Sequence, residues 1–222
     1  MRIPAFACGN FYHVYNRGIG KGKIFNEDAD RYRFLTSLLH FNDAERKTGY
    51  SKLGARWYLP TKGSDPLVRI VAYCLMDNHF HLLVEQIHEH GITAFMKAMG
   101  QGYTEFCNTK YQRSGRLFGS SYRAKAVENS AHFTHIGRYI HMNPLDIDQP
   151  GWQTRGNIDT ERAERFLLWY PWSSYRHYVG SVCDPVVERA AHDPMLGHEN
   201  NNEAIKEWFA HRKQHPRGLT GG

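Results

Sequence analysis

The chain of 222 residues is long enough for one domain with a full hydrophobic core and an appended segment. It has no bilayer-length apolar stretch and no Cys-x-x-Cys among its four cysteines, and its first residues lack the long apolar run and small-residue cleavage site of a signal peptide. We therefore expect a soluble, cytoplasmic protein, with reduced thiols favoured over a zinc framework or disulfides. A formal charge of +6, a pI near 9.1 and 14% aromatic residues suit single-stranded nucleic acid as partner.

The first part of the chain alternates strand and helix patterns. Up to residue 86 the predicted elements are a strand at 11–18, a helix at 26–49, a loop at 50–66, and strands at 66–75 and 79–86 joined by a turn at 76–78. The helix has acidic residues in its first turn and Gly49 beyond its end. Its apolar residues at helical spacing are Tyr32, Leu35, Leu38 and Leu39.

Three more elements follow this pair of strands. Residues 92–112 carry apolar side chains at helical spacing, and residues 120–128 predict a fourth strand. On that strand Arg123 and Lys125 share one face, because successive side chains alternate. A last helix is predicted from a cap at Ser130 to the residue before Pro144, which stops it.

The order strand, helix, strand, strand, helix, strand predicts an α+β fold of the ferredoxin-like, split βαβ type. Its antiparallel sheet would have helices packed on one face and the other face available for a ligand or a further helix. We expect residues 1–146 to form the catalytic domain. Residues 147–222 are predicted to form a mostly irregular and helical C-terminal extension, with a helix near 202–213.

The strand at 79–86 carries two histidines inside an apolar run. His79 and His81 lie on one face of the strand and Phe80 lies on the other. Two imidazoles on one face require partners, because burying them without any costs desolvation energy. A hydrogen-bonded structural pair and a metal site both satisfy this requirement.

The helix that ends at Pro144 can place two further polar groups near these histidines. Tyr139 and Asn143 are four residues apart and therefore share a helix face. Two imidazole nitrogens and one amide oxygen would form half of the coordination shell of Mg²⁺ or Mn²⁺. A tyrosine beside such a cation could attack a phosphodiester once it loses its proton. Tyr139 as an ordinary core aromatic and Asn143 as a helix-ending residue are the alternatives, and His132 and His135 fit structural roles.

Five ordered sequence blocks resemble the REP-associated tyrosine transposases, which are single-tyrosine HUH transposases of bacterial insertion sequences. These blocks are FYHVYNRG…IF, YCLMDNHFHLLVE, KYQRSGRLF…YRAKAVE, GRYIHMNPL and YPWSSY. They extend over residues 10–180. The resemblance implies that His79, His81 and Asn143 hold Mg²⁺ or Mn²⁺ and that Tyr139 is the nucleophile. It also implies cleavage of single-stranded DNA beside hairpins of repetitive extragenic palindromes, through a 5′-phosphotyrosine that frees a 3′-hydroxyl.

Several donors in the matching blocks are candidates for DNA contacts. They are Asn16, Arg17, Arg113, Arg116, Arg123 and Lys125. The chain departs from the family pattern at Gly119-Ser120-Ser121, where Gln-Gly-Arg is common, so a positive charge is missing there. Relatives work as monomers or as homodimers with shared sites, and the sequence leaves both open.

Two other functions remain open from the sequence. A non-catalytic protein could use the same sheet to bind single-stranded nucleic acid, because fold alone does not decide function. A metal-dependent phosphodiesterase could instead activate water, with Tyr139 a bystander. The joint presence of His-x-His and Tyr-x-x-x-Asn favours the transposase-like enzyme over a pure binder.

Overall fold

A computed structural model describes residues 5–45, 63–155, 158–179 and 181–188. The strands are β1 Phe11–Arg17, β2 Val68–Met76, β3 His79–Gln86 and β4 Arg123–Ala126. The α-helices are α1 Asp28–His40, α2 Gly91–Lys110, α3 Ser130–Met142, α4 Leu145–Asp148, α5 Trp152–Arg155, α6 Thr160–Trp169 and α7 Tyr175–Tyr178. In these ranges no helix combines the length and apolarity needed to cross a membrane.

The four strands form one antiparallel sheet in the order β2-β3-β1-β4. With α1 between β1 and β2, and α2 between β3 and β4, this is the βαββαβ arrangement of the ferredoxin-like fold. The predicted α+β, ferredoxin-like fold is therefore confirmed.

One face of the sheet packs against α1 and α2. Pairing of Val14 with Leu82 and of Asn16 with Phe80 fixes which side chains share this face. The Phe34 ring of α1 lies 4.9 Å from the Phe80 ring and 5.0 Å from the Tyr103 ring of α2. All of these rings are fully buried, so this face forms the main core.

The opposite face is covered by α3 and is polar over half of its length. At one end, Phe11 of β1 packs edge-on against Phe133 of α3, with ring centroids 4.8 Å apart. Farther along, the same face carries His13 and Tyr15 of β1 beside His81 of β3. Helix α3 thus packs on the apolar end of this face of the sheet, and the other end of the face is polar.

Helix α1 ends nine residues earlier than the predicted 26–49, at His40. The cause is Asn42, whose side chain donates to the Val68 carbonyl oxygen (2.7 Å) and accepts from the Val68 N–H (2.9 Å). This clamp turns the chain towards β2. Residues 46–49, most of the predicted loop at 50–66 and the predicted helix near 202–213 lie outside the described residues.

Tyr32 belongs to the apolar positions at helical spacing but does not lie in the core. Its side chain is 50% exposed and packs against the Trp172 ring (4.9 Å). Phe34, two positions on, fills the core instead.

Two further boundaries differ from the prediction. Strand β4 spans four residues, Arg123–Ala126, rather than 120–128, and before it Asn16 Nδ2 donates to the Ser120 carbonyl oxygen (3.2 Å). The cap of α3 is Asn129 rather than Ser130, since the Asn129 side chain accepts from the His132 N–H (2.9 Å). Asn is as good an N-cap residue as Ser.

Residues 170–179 and 181–188 include several that hydrogen bond with the outer edge of β2. The Leu75 N–H donates to the Trp172 carbonyl oxygen (2.8 Å), and the Tyr73 N–H donates to Ser174 Oγ (2.9 Å). The Tyr170 hydroxyl donates to the Leu75 carbonyl oxygen (2.7 Å). This part of the predicted extension therefore completes the hydrogen bonding of the sheet edge.

Candidate active site

A cavity of about 540 Å³ opens at the polar end of the α3 face. Eight of the ten side chains predicted from the sequence line it: His79, His81, Tyr139, Asn143, Asn16, Arg17, Arg123 and Lys125. They come from β1, β3, β4 and the end of α3, so only the folded sheet brings them together.

The two histidines of β3 face the cavity with one nitrogen of each ring already engaged. Their ring centroids lie 5.0 Å apart at 89°. His79 Nδ1 is 2.6 Å from Asn78 Oδ1, and His81 Nδ1 is 2.9 Å from His13 Nε2. Each ring is thus engaged through Nδ1, and Nε2 is the nitrogen that would bind a metal, as in the usual pattern of metal-binding histidines.

Both histidines are neutral at physiological pH. Burial, with the nearby Arg17, lowers the pKa of His79 to about 4, although a hydrogen bond with Asn143 opposes the shift. Burial also holds the pKa of His81 well below its usual value, and His13, His79 and Arg17 add to the effect. A neutral imidazole is the form that binds metal ions.

Asn143 and Tyr139 lie at the C-terminal end of α3. Asn143 is 2% exposed, and its Nδ2 donates to the Tyr139 carbonyl oxygen (2.8 Å). Its side chain also lies close enough to the His79 ring and the Tyr139 hydroxyl to shift the pKa of each group. The Tyr139 ring stands edge-on to the His81 ring, with centroids 5.5 Å apart.

The Tyr139 hydroxyl is protonated at neutral pH. Burial raises its pKa, and Asp146 and Tyr15 raise it further, while Asn143 and Arg17 lower it in part. A nucleophilic role therefore requires loss of the phenolic proton during the reaction rather than a standing phenolate.

The donor set fits a divalent cation with several open coordination positions. It consists of two neutral imidazoles, each held through Nδ1, and the amide of Asn143. Across the described ranges, no three His, Cys, Asp or Glu side chains converge to form a closed metal site. A mixed nitrogen and oxygen half-shell admits Mn²⁺ readily and Mg²⁺ with retained waters.

The predicted DNA-contacting residues divide into three groups. Arg17, Arg123 and Lys125 line the cavity together with Lys21, so cations surround the candidate metal site. Arg116 instead lines a second cavity of about 790 Å³ beside α2, which shares Asn16 and Ser120 with the first. Arg113 lines neither cavity, and its guanidinium donates to the Arg116 carbonyl oxygen (3.0 Å).

Two residues of the site escaped the sequence analysis. His13 and Tyr15 lie on the face of β1 opposite the buried Tyr12 and Val14, and alternation along FYHVYNRG shows only that the two share a face. The buried Tyr15 hydroxyl has no hydrogen-bond partner among the described residues. His132 and His135 do not line the cavity, and His132 Nδ1 accepts from the Glu128 N–H (3.2 Å).

Comparisons with known proteins agree with the predicted resemblance. Residues 58–143 match the family described as "Transposase IS200 like". No curated protein sequence matches the chain. The structure of the REP-associated tyrosine transposase bound to a REP hairpin is similar, with 11% identity and a TM-score of 0.53. That match covers 86% of this chain and 91% of the other.

A second similar structure is tRNA(His) guanylyltransferase from Saccharomyces cerevisiae, at 9% identity. It covers 87% of this chain and 85% of the other, with a TM-score of 0.37, too low to support an argument. The family match and the match to the REP-associated transposase structure confirm the resemblance predicted from the sequence. Residues 58–143 match the IS200-like transposase family, and the chain has the fold of a REP-associated tyrosine transposase.

Proposed function

We propose that this chain is a metal-dependent endonuclease and strand transferase that acts on single-stranded DNA at hairpins. The observation that carries the proposal is the meeting of Tyr139 with His79, His81 and Asn143 in one cation-lined cavity. A protein that only binds nucleic acid has no need for a buried tyrosine beside two neutral imidazoles.

In the proposed reaction Tyr139 Oη attacks the phosphorus of a phosphodiester. A bond forms between Oη and phosphorus, and the bond between phosphorus and the 3′-oxygen breaks. The phenolic proton leaves to solvent, and the departing oxygen takes up a proton to become a 3′-hydroxyl. The 5′-phosphotyrosine keeps the energy of the diester, so a 3′-hydroxyl can later displace Tyr139 without ATP.

His79, His81 and Asn143 would hold Mg²⁺ or Mn²⁺ beside the attacked phosphate. When bound, the cation polarises the phosphodiester and stabilises the charge that develops on its oxygens. Asn143 would also keep Tyr139 in place, because its Nδ2 donates to the Tyr139 carbonyl oxygen (2.8 Å). The helix end that supplies a ligand thus also positions the nucleophile.

Arg17, Arg123 and Lys125 would neutralise the phosphates of the bound strand. Cationic side chains in a groove guide a single strand and bind it without reading its sequence. Hairpin DNA is proposed as the substrate because the structural neighbour is bound to a REP hairpin. Action on cellular DNA agrees with the expected cytoplasmic location. Whether the protein acts as a monomer or a homodimer is determined by measuring the mass of its complex with DNA in solution.

The decisive experiment mixes the protein with end-labelled single-stranded oligonucleotides that contain imperfect hairpins with single-stranded flanks. Denaturing gels with Mn²⁺, Mg²⁺ or EDTA would compare the native chain with Tyr139→Phe. Tyr32→Phe is the matched control, because Tyr32 is half exposed on α1 and does not line the cavity. We expect a slowly migrating covalent adduct with the native chain and with Tyr32→Phe, and none with Tyr139→Phe or EDTA.

Other outcomes point to the alternatives. Cleavage that persists without an adduct in Tyr139→Phe would identify a nuclease that activates water. Binding without cleavage or adduct, for all hairpins and both metals, would identify a nucleic-acid-binding protein and overturn the proposal.

A further inference from the structure

A third histidine touches the candidate metal site from the neighbouring strand. His13 of β1 is 5% exposed, and its ring stacks beside that of His81 with centroids 5.1 Å apart at 26°. His13 Nε2 and His81 Nδ1 are 2.9 Å apart, a hydrogen-bond distance. This contact has no place in the proposed reaction, so it calls for its own explanation.

The hydrogen bond between the two rings contains a single proton, which either His13 or His81 can donate. At pH 8, above the ordinary histidine pKa of about 6.5, both rings are neutral, and each carries one N–H. If His13 Nε2 donates, His81 must carry its own proton on Nε2 and cannot bind a cation there. If His81 Nδ1 donates, Nε2 of His81 has a free lone pair.

His79, the other histidine of the candidate metal site, has a different hydrogen-bond partner. His79 Nδ1 lies 2.6 Å from Asn78 Oδ1, and an amide oxygen can only accept. Asn78 therefore fixes the proton of His79 on Nδ1 whether or not a cation is present. The partner of His81 can donate or accept, so the tautomer of His81 is adjustable.

We propose that His13 is a positioning residue of the metal site, which accepts the Nδ1–H of His81 and thereby directs Nε2 of His81 at the cation. This inference rests on the metal site of the proposed function. Binding of the cation selects one of the two proton positions between the rings. The proton moves from His13 Nε2 to His81 Nδ1, the proton on His81 Nε2 is released to solvent, and His13 takes up a proton from solvent on Nδ1, so each ring stays neutral.

A matched pair of substitutions separates the hydrogen bond from packing. His13→Gln keeps an amide close to the position of Nε2, and it can accept the proton of His81. His13→Met has nearly the same shape as the glutamine and cannot accept it well. His132→Met serves as the control for losing a histidine elsewhere, because His132 does not line the cavity.

The first readout is the affinity for Mn²⁺ alone, measured by electron paramagnetic resonance titration of folded protein without DNA. We expect His13→Met to weaken Mn²⁺ binding about 10- to 100-fold, the usual effect of losing a partner of a metal-binding histidine. His13→Gln and His132→Met should bind Mn²⁺ nearly as well as the native chain. Thermal melting of each variant verifies that the compared proteins are folded.

The second readout is the position of the ring protons, seen in nitrogen-15 NMR spectra of the histidines with and without Mg²⁺. We expect Mg²⁺ to convert His81 wholly to the Nδ1–H form in the native chain. In His13→Met, His81 should populate the Nε2–H form before Mg²⁺ is added. A His81 ring that stays in one tautomer throughout, in both proteins, would overturn the inference.

The proposed function and this inference fail in different ways. If His79→Ala and His81→Ala bind Mn²⁺ as well as the native chain, the metal site itself is wrong. If those two variants lose Mn²⁺ while His13→Met binds it like His13→Gln, the site stands and the role of His13 is refuted.

Discussion

The two faces of the sheet are built from the same strands and have opposite chemistry. Towards α1 and α2, Phe80 and Leu82 are buried in a continuous apolar layer. Towards α3, the alternate residues His79 and His81 line a cavity with Tyr139. Neighbouring residues of β3 thus serve stability and the candidate chemistry separately, which is possible because side chains on a strand alternate.

The contrast between the two faces shows how the desolvation cost of buried polar groups is offset. On the α3 face each buried imidazole has a named partner, His13 for His81 and Asn78 for His79. Both rings line the cavity, where a ligand can reach them. The apolar face needs no such arrangement, so its residues can be chosen for packing alone.

The contrast between the two faces is tested most directly by substituting two adjacent residues of β3, Phe80 and His81. Phe80→Ala should lower the free energy of unfolding by about 3–5 kcal/mol, because it removes a fully buried ring that packs on Phe34 and Phe118. Urea denaturation followed by circular dichroism measures this loss. The control is Trp169→Ala, whose side chain is 71% exposed and should change stability by less than about 0.5 kcal/mol.

The neighbouring substitution His81→Ala should have the opposite pattern. Formation of the DNA adduct should fall at least about 100-fold, as expected on losing a metal ligand or its support, with a smaller loss of stability than in Phe80→Ala. A destabilisation as large as that of Phe80→Ala would show that the two faces are not functionally separate.

A smaller effect is expected on the helical side of the apolar face, where Asp30 links α1 to α2. Burial alone would raise the pKa of Asp30, but hydrogen bonds from Lys110, Tyr111 and the Asn26 N–H lower it below the usual value. The lowered pKa means that the folded state gains stability from the carboxylate above about pH 4, the unfolded value. This contribution is lost as the pH falls through the folded-state pKa.

Urea midpoints at pH 7 and at pH 3 test this linkage. Asp30→Asn should be about 1–3 kcal/mol less stable than the native chain at pH 7, and the difference should shrink at pH 3. Glu161→Gln provides the surface comparison, because Glu161 is 81% exposed and lies 3.8 Å from Arg165. If Asp30→Asn kept the same deficit at both pH values, the carboxylate would not be the source of the pH dependence.

The smallest expected effect concerns the cations around the cavity. Lys125→Gln should weaken binding of single-stranded DNA uniformly across sequences and reduce the salt slope of log K by about 0.7, the value for one phosphate contact on a single strand. Fluorescence anisotropy between low and moderate salt measures the slope. Arg165→Gln on α6 removes the same charge outside the cavity and should leave the slope unchanged.

Alternation and helical period were sufficient to predict the ferredoxin-like order and the shared face of Arg123 and Lys125. They could not predict where α1 ends, because the Asn42 clamp depends on Val68, 26 positions later in the chain. His13 was missed for a similar reason. Its significance comes from pairing with β3, and a strand alone does not reveal which residues of another strand lie beside it.

The residues that hydrogen bond with the outer edge of β2, within 170–179 and 181–188, have a consequence for assembly. Besides the bonds to Tyr73 and Leu75, the Glu188 N–H donates to the Ile70 carbonyl oxygen (2.8 Å) at the far end of β2. An exposed strand edge invites another chain to add its own strand, and β2 is almost wholly buried and apolar. Here the chain occupies that edge itself, so two copies cannot join their sheets through β2. A chain truncated before residue 170 would expose the unpaired edge of β2. We expect such a chain to aggregate even though every residue of the cavity is present.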